Sequence, residues 1–189
     1  MKTKICFIMV GVSGSGKSTA MEHLKKIAGG ETQSVFSLDD SRLCFAGNHL
    51  AGVATFKEDL TEQEAYRIAF EMANENKAEF DTQVNKDWAK ALKADVVFVD
   101  NTNLTRKARA RWVQDARAKG FTIWAIQMMT PLDVVITRQK TRVDKVVPES
   151  DVRDMYMRQQ EVLLGDEADF LLHIDGTSDA PVAMGTFHL

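Results

Sequence analysis

The feature that most constrains the fold is the segment Gly11–Ser18, GVSGSGKS, which fills every fixed position of the pattern G-x-x-x-x-G-K-[ST]. A continuous apolar run over Ile5–Val10 precedes it, and a helical pattern over Thr19–Ala28 follows. A strand, a glycine-rich loop and a helix in this order aim backbone N–H groups and a helix N-terminus at one anion. A glycine-rich turn could match by chance, but the flanking strand and helix favour a loop that binds a nucleoside triphosphate.

Two polar side chains of the loop have predicted roles in binding the triphosphate and its metal ion. The Lys17 ammonium would reach the β- and γ-phosphates, and the Ser18 hydroxyl would hold Mg²⁺. The predicted ligands are therefore ATP, or another nucleoside triphosphate donor, and Mg²⁺. The predicted donor-binding residues of this loop are Gly11, Ser13, Gly14, Ser15, Gly16, Lys17, Ser18 and Thr19.

Length, charge and cysteine content narrow the class of protein. The 189 residues fit one domain, predicted to span 1–189. A net charge of −3 gives no general attraction to nucleic acid, so a site for a polyanion needs a local basic patch. The two cysteines favour a reducing compartment, and the sequence has neither a signal segment nor a membrane-spanning run. We expect a cytoplasmic protein, in the host cytoplasm if it is phage-encoded, with no membrane partner; its oligomeric state stays open.

Strand-like and helical patterns alternate along the chain. This alternation is typical of an α/β fold with a parallel sheet covered by helices on both faces. By analogy with kinases that carry a phosphate loop after their first strand, we expect a doubly wound P-loop kinase fold with strand order 2-3-1-4-5. Residues 41–94 depart from the alternation and predict a helical insertion on the substrate side, with helices over Thr61–Asn74 and Ala78–Leu92. The predicted strands are Ile5–Val10, Val35–Leu38, Val96–Val99, Phe121–Met129 and Phe170–Ile174.

Two carboxylates and an arginine follow the second predicted strand, in the segment Ser37–Arg42, SLDDSR. An alcohol that attacks the γ-phosphorus loses its proton, so a carboxylate within hydrogen-bond reach can act as general base. We assign this role to Asp39 in preference to Asp40. The alternative is that one of the two aspartates caps the following helix, and both roles can hold at once.

The third predicted strand ends in Asp100, followed by Asn101, Thr102 and Asn103. A carboxylate at this position is expected to hold the metal ion together with Ser18, usually through water. An aspartate after a strand is also a common turn former. The assignment therefore depends on its order after the phosphate loop.

Two further segments carry cations. The helical pattern over Leu104–Lys119 predicts a charged face, which we interpret as solvated rather than as a phosphate site, and an apolar face with Trp112 in the core. The residues of the predicted apolar face are Leu104, Ala108, Trp112, Val113 and Ala116. Residues 131–148 predict a helical lid in which Arg138 and Arg142, one turn apart, close over the triphosphate and neutralise charge on the transferring group. Surface ion pairs are the alternative for these two arginines.

Taken together, these motifs resemble the polynucleotide 5′-hydroxyl kinase family over Lys4 to about Gln160. The resemblance rests on the phosphate loop, on Asp39–Arg42 for the family's D-D-x-R, on Asp100–Asn103 for its DNTN-type segment, and on the arginines before Val147-Pro148 for its lid. It implies ATP-dependent phosphorylation of the 5′-hydroxyl end of DNA or RNA.

By this resemblance Asp39, Lys17 and Arg142 would be catalytic, with Arg138 assisting. The residues that would contact the acceptor are Asp39, Arg42, Asp100, Asn101 and Asn103, with Arg42 on the phosphate next to the acceptor nucleoside. Either Asp100 or Asn101 can align with the family's third acid. The implied partners are nucleic-acid 5′ ends, with a functional pairing to a ligase in nucleic-acid repair.

Near the end, His173–Thr177 resembles the D-x-D-G-T motif of a phosphatase, but His173 stands at the nucleophile position. We therefore expect no phosphatase domain. Two other functions stay open: a P-loop kinase that acts on another hydroxyl, such as a nucleoside, a modified base in DNA or another small molecule, and a nucleotide-binding switch without phosphotransfer.

Overall fold

The computed structural model describes residues 4–50, 60–143, 145–177 and 182–187. Strands and helices alternate in it as the sequence predicts. The strands are β1 (Lys4–Val10), β2 (Gln33–Phe36), β3 (Val96–Val99), β4 (Phe121–Met128), β5 (Phe170–Asp175) and β6 (Val182–Phe187). The helices are α1 (Lys17–Ile27), α2 (Leu38–His49), α3 (Glu62–Glu75), α4 (Lys77–Ala91), α5 (Arg106–Ala118), α6 (Leu132–Thr141) and α7 (Glu149–Arg158).

One sheet joins all these strands in the order β2-β3-β1-β4-β5-β6. The first five are parallel, which confirms the predicted order 2-3-1-4-5. The sixth strand, β6, pairs antiparallel with β5 and was not predicted. Its sequence, VAMGTF, lacks the long apolar run that identifies the strands covered on both faces.

Alternate residues of the central strand β1 point into two separate cores. Cys6, Ile8 and Val10 pack with aromatic residues of α4 and α5, while Phe7 and Met9 pack with α1 on the other face. Trp112 lies in the first core, 5.3 Å from the Trp88 ring, as predicted. Both faces of the sheet are therefore covered, and its carboxyl edge is left as the place where loops meet.

The second strand ends earlier than the sequence predicts, and this changes the position of Asp39. Strand β2 stops at Phe36, and Ser37 caps α2 by accepting a hydrogen bond from the Asp40 N–H group. The predicted strand Val35–Leu38 therefore extended two residues too far at its carboxyl end. The alternative that an aspartate caps the following helix was wrong, because Ser37 is the cap. Asp39 lies in the first turn of α2.

The predicted insertion contains α3 and α4 close to their predicted bounds, and its residues 51–59 lie outside the described residues. Helix α3 begins with a capping box between Thr61 and Glu64 and packs on α2.

Helix α5 contains a difference from its predicted pattern. The predicted apolar position Ala108 is exposed, whereas Arg109 is buried with 1 % of its surface exposed. A salt bridge to Glu167 and hydrogen bonds to several backbone carbonyl oxygens offset the cost of burying this charge.

Candidate active site

The loop between β1 and α1 is shaped for an anion. Gly14 and Gly16 adopt φ angles of 86° and 94°, which favour glycine, and Gly16 begins α1 without a side-chain cap. The Gly11 N–H group donates to the Thr102 carbonyl oxygen, which ties the loop to the segment after β3. The open N-terminus of α1 faces the cleft, and such an end binds phosphate through its N–H groups and its dipole.

The Lys17 side chain forms hydrogen bonds within the phosphate loop. Its Nζ donates to the carbonyl oxygens of Gly11 and Val12, each at 2.9 Å. Burial lowers the pKa of Lys17 to about 8, and the positive charges of Lys145 and Arg142 act in the same direction against the opposing effect of Asp100. A phosphate group beside this ammonium would favour its charged form.

Ser18 and Asp100 line the same cleft from α1 and from the end of β3. Burial raises the pKa of Asp100, Lys17 counteracts this, and Asp40 raises it further. Within the described residues no group of three His, Cys, Asp or Glu side chains could hold a metal. A hydroxyl and a carboxylate beside a phosphate loop do fit Mg²⁺, which usually takes one or two carboxylates and completes its shell with phosphate oxygens and water.

The acceptor side of the cleft is centred on Asp39. Its carboxylate accepts a hydrogen bond of 2.7 Å from the Arg42 guanidinium and forms a second ion pair with Lys145 of the lid region. Burial lowers the pKa of Lys145. One carboxylate therefore links α2 to the lid.

The two asparagines after β3 have different positions. Asn101 lines the cleft, and its Oδ1 accepts from the Leu38 N–H group, while its buried Nδ2 has no partner among the described residues. Asn103 is buried, and its Nδ2 donates to the carbonyl oxygens of Met9 and Val99. Asn103 thus joins the ends of β1 and β3, a structural position instead of the predicted substrate contact.

The segment predicted as a lid, residues 131–148, contains α6 and described residues of the connection from α6 to α7. Arg138 lies on α6 and donates to the Thr177 carbonyl oxygen, whereas Arg142 follows α6 in an extended conformation. Both line the cleft. The helix therefore ends just before Arg142, so the two arginines do not lie on one helix as predicted. Asp144 lies outside the described residues.

Gln139 connects this lid to the phosphate loop, a role that the sequence did not indicate. It is 4 % exposed, donates from Nε2 to Ser13 Oγ and accepts at Oε1 from the Val147 N–H group. Gln63 of α3 exchanges two hydrogen bonds with the backbone of Val146. The loop, lid and insertion thus form one connected set of polar contacts.

All of these elements meet in a cleft of about 770 Å³. Gly11, Ser15 and Asn103 are predicted site residues that do not line it. Sequence reasoning missed Tyr66, Phe70 and Lys145, although the spacing of the two aromatic residues by one helical turn in an acidic helix was a usable signal. The predicted residues that do line it are Ser13, Gly14, Gly16, Lys17, Ser18, Thr19, Asp39, Arg42, Asp100, Asn101, Arg138 and Arg142.

Comparison with protein families gives one match: the model described as an AAA domain matches residues 7–162. Among curated proteins, none matches the sequence significantly. In the described part of the chain, no helix is long and apolar enough to cross a membrane.

Several solved structures are similar in fold. A gluconokinase from Sinorhizobium meliloti 1021 is 15 % identical, with a TM-score of 0.53 over 94 % of this chain and 86 % of its own. Chaetomium thermophilum Kti12 in complex with ADP-AlF3 is 16 % identical, with a TM-score of 0.57 over 90 % of this chain and 88 % of its own. The AvrRxo1-ORF1:-ORF2 structure with ATP is 13 % identical, with a TM-score of 0.61 over 97 % of this chain and 57 % of its own. At these identities the likeness concerns the fold alone.

Proposed function

Because the chain belongs to the AAA domain family and has the fold of a P-loop kinase, a nucleotide-binding domain, we propose that it transfers the γ-phosphate of ATP to the 5′-hydroxyl end of DNA or RNA. The observation that carries this proposal is the shared cleft, which is lined by Asp39, by residues of the phosphate loop and by Arg138 and Arg142. Donor and acceptor can therefore meet in one place, as in-line transfer requires.

On the donor side, the loop N–H groups and Lys17 would hold the phosphates, and Ser18 and Asp100 would hold Mg²⁺. Bound Mg²⁺ would neutralise charge on the β- and γ-phosphates. Arg142, with Arg138 assisting, would stabilise the charge that develops on the transferring group.

On the acceptor side, Asp39 would take the proton of the attacking hydroxyl. Its ion pairs with Arg42 and Lys145 hold the carboxylate in place. Arg42 would bind the phosphate that follows the terminal nucleoside, because a guanidinium offers paired donors to phosphate oxygens. A small neutral acceptor has no use for such a group. A product with a 5′-phosphate would suit a ligase as the next enzyme.

The second candidate is a kinase of another hydroxyl, such as a nucleoside or a sugar acid, and the similar fold of a gluconokinase favours it. The test is transfer of labelled γ-phosphate to a 5′-hydroxyl oligonucleotide, a free nucleoside and gluconate. We expect the oligonucleotide to have the highest kcat/KM by at least about tenfold. Gluconate or the nucleoside as the best acceptor would support the second candidate instead.

Arg42→Ala refines this test. Losing a hydrogen bond to a charged group costs about 1.5 to 3 kcal/mol, so kcat/KM on the oligonucleotide should fall at least about tenfold. The loss should be smaller on a nucleoside, which lacks the phosphate. Arg67→Ala is the matched control, since Arg67 is exposed on α3 and pairs with Glu71. Unchanged turnover of Arg42→Ala on the oligonucleotide would contradict the assignment.

Asp39→Asn separates a kinase from a nucleotide-binding switch. We expect this variant to keep ATP binding and to lose phosphate transfer by several orders of magnitude, because a general base contributes roughly 10²- to 10⁴-fold. A variant with the parent's properties, together with ATP binding and no transfer to any acceptor, would favour the switch.

A further inference from the structure

We propose that Tyr66 and Phe70 of α3 form a stacking surface for the terminal nucleobase of the acceptor. The inference rests on the proposed function and makes it more specific, because it states that the acceptor is recognised by an aromatic ring as well as by its hydroxyl and phosphate.

The packing of α3 turns both rings toward the cleft. The buried face of this helix consists of Ala65, Ala69 and Ala73, spaced four residues apart, and it packs on α2. Tyr66 and Phe70 each follow one of these alanines, so they occupy the neighbouring stripe of the helix and line the cleft. Small residues on the buried face allow α3 to lie close to α2, which carries Asp39.

Phe70 stays open to solvent in the part of the chain that the structure describes. The residue is 52 % exposed although it lines the cleft that contains the candidate reacting groups. By contrast, Phe80 on α4 is buried. A large apolar ring that stays open at a substrate cleft is a feature of ligand sites, where aromatic side chains supply the contact area.

Cations are interleaved with these rings. The Arg42 guanidinium carbon lies 5.2 Å from the Phe70 ring centroid and 5.8 Å from that of Phe80, and Lys145 Nζ lies 4.8 Å from the Tyr66 ring centroid. These are cation–π distances. Aromatic rings alternating with cations along a groove are typical of surfaces that bind single-stranded nucleic acid.

The same two cations bind the carboxylate of Asp39, which fixes where the rings lie relative to the chemistry. A hydroxyl that reaches Asp39 therefore has an aromatic surface within one side chain's length. A nucleoside carries a planar base at about that distance from its 5′-hydroxyl, and this base can stack on Phe70. A sugar acid has no π-face and gains nothing from the ring.

The test uses two oligonucleotides with a free 5′-hydroxyl, identical except that one has an abasic residue at its 5′ end. Stacking on an aromatic residue is worth roughly 1 to 3 kcal/mol per base, so we expect the wild-type kcat/KM to be about tenfold higher for the intact acceptor. The difference should lie mainly in KM. In Phe70→Leu the preference should fall to about twofold or less, whereas Phe70→Tyr should retain it.

Tyr156→Leu is the matched control, since Tyr156 is a partly exposed aromatic residue on α7 that is not among the residues lining the cleft. Equal kcat/KM of the wild type on both oligonucleotides would overturn the inference and leave the proposed function standing. The same holds if Phe70→Leu, with a normal melting temperature, keeps the wild-type preference. No transfer to either oligonucleotide would overturn the proposed function and this inference with it.

Discussion

The burial of Lys17 makes the stability of the protein depend on pH. Burial lowers the pKa of Lys17 from its ordinary 10.5 to about 8, so between these values the unfolded chain binds more protons than the folded one. The free energy of unfolding should therefore rise as the pH increases from about 8 to about 10.5. Below pH 8 the buried charge should destabilise the nucleotide-free protein.

We predict that Lys17→Met raises the melting temperature at pH 7 by a few degrees and reduces the stabilisation of the protein between pH 8 and pH 10. Thermal unfolding at several pH values, without nucleotide, measures both effects. Lys26→Met is the matched control because Lys26 is an exposed lysine on the same helix. A melting temperature that falls in Lys17→Met at pH 7 would show that its two hydrogen bonds outweigh the burial of its charge.

Gln139 of α6 couples the phosphate loop to the predicted lid through one amide. In Gln139→Met the hydrogen bonds to Ser13 and Val147 are lost while the length of the side chain is kept. Each bond contributes about 1 kcal/mol, so the segment after α6 should open roughly 5- to 30-fold more often.

The prediction is faster cleavage by trypsin after Arg142 and Lys145, together with a higher KM for ATP. Rates of cleavage at these sites, followed by mass spectrometry, report the opening directly. Gln114→Met, an exposed position on α5, is the matched control. An unchanged cleavage pattern in Gln139→Met would show that other contacts hold the lid.

The elements differ in how far the sequence predicts them. Strand β3 was predicted at its observed bounds because a strand buried on both faces requires a continuous apolar run. Strand β6, an edge strand with little such signal, was missed. The phosphate loop follows from local spacing alone. Tyr66 and Lys145 come from distant segments, so their position beside Asp39 depends on tertiary packing that no local pattern contains.

Asn103 belongs to a motif of binding residues but has a structural role. The motif placed it beside the substrate, but its φ of 48° and its side-chain bonds to the ends of β1 and β3 make it a structural turn. Asparagine tolerates this left-handed conformation better than most residues, and its amide replaces a backbone donor. No pattern in the sequence separates this structural role from a binding role.

Arg109 joins two segments that are distant in sequence, one directly after β3 and one between α7 and β5. From α5 its guanidinium donates to the carbonyl oxygens of Asn103 and Leu104, to those of Gln160 and Glu161, and to the Glu167 carboxylate. It thus holds the segment that carries the cleft residues after β3 against the loop that leads into β5. Burying a charge in this way requires that every partner remains in place.

Glu167 is the partner whose loss tests this arrangement. We predict that Glu167→Leu lowers the free energy of unfolding by about 3 kcal/mol, since it leaves the buried guanidinium without its countercharge. The double variant Arg109→Met/Glu167→Leu should recover part of that loss, because apolar side chains of similar size replace a buried pair at little cost. Urea unfolding of the three proteins at pH 7 measures this. Glu71→Leu, which breaks an exposed pair, should change stability by about 0.5 kcal/mol or less.

The ion pair of Arg109 and Glu167 also leads to a prediction for the stability of the protein in acid. Burial raises the pKa of Glu167, but hydrogen bonds from Arg109 and from the Leu163 N–H group outweigh it, and the net pKa lies below the ordinary 4.5. The stabilisation that this carboxylate provides is therefore complete above pH 4.5 and is lost as the pH falls through the lower folded-state value. Glu167→Gln, which cannot ionise, should start less stable at pH 7 and lose less stability on acidification to pH 3.5. If the free energy of unfolding of the two proteins falls with the same slope between pH 5 and pH 3.5, other carboxylates control acid unfolding. The Arg109–Glu167 pair would then not determine the response of the protein to acid.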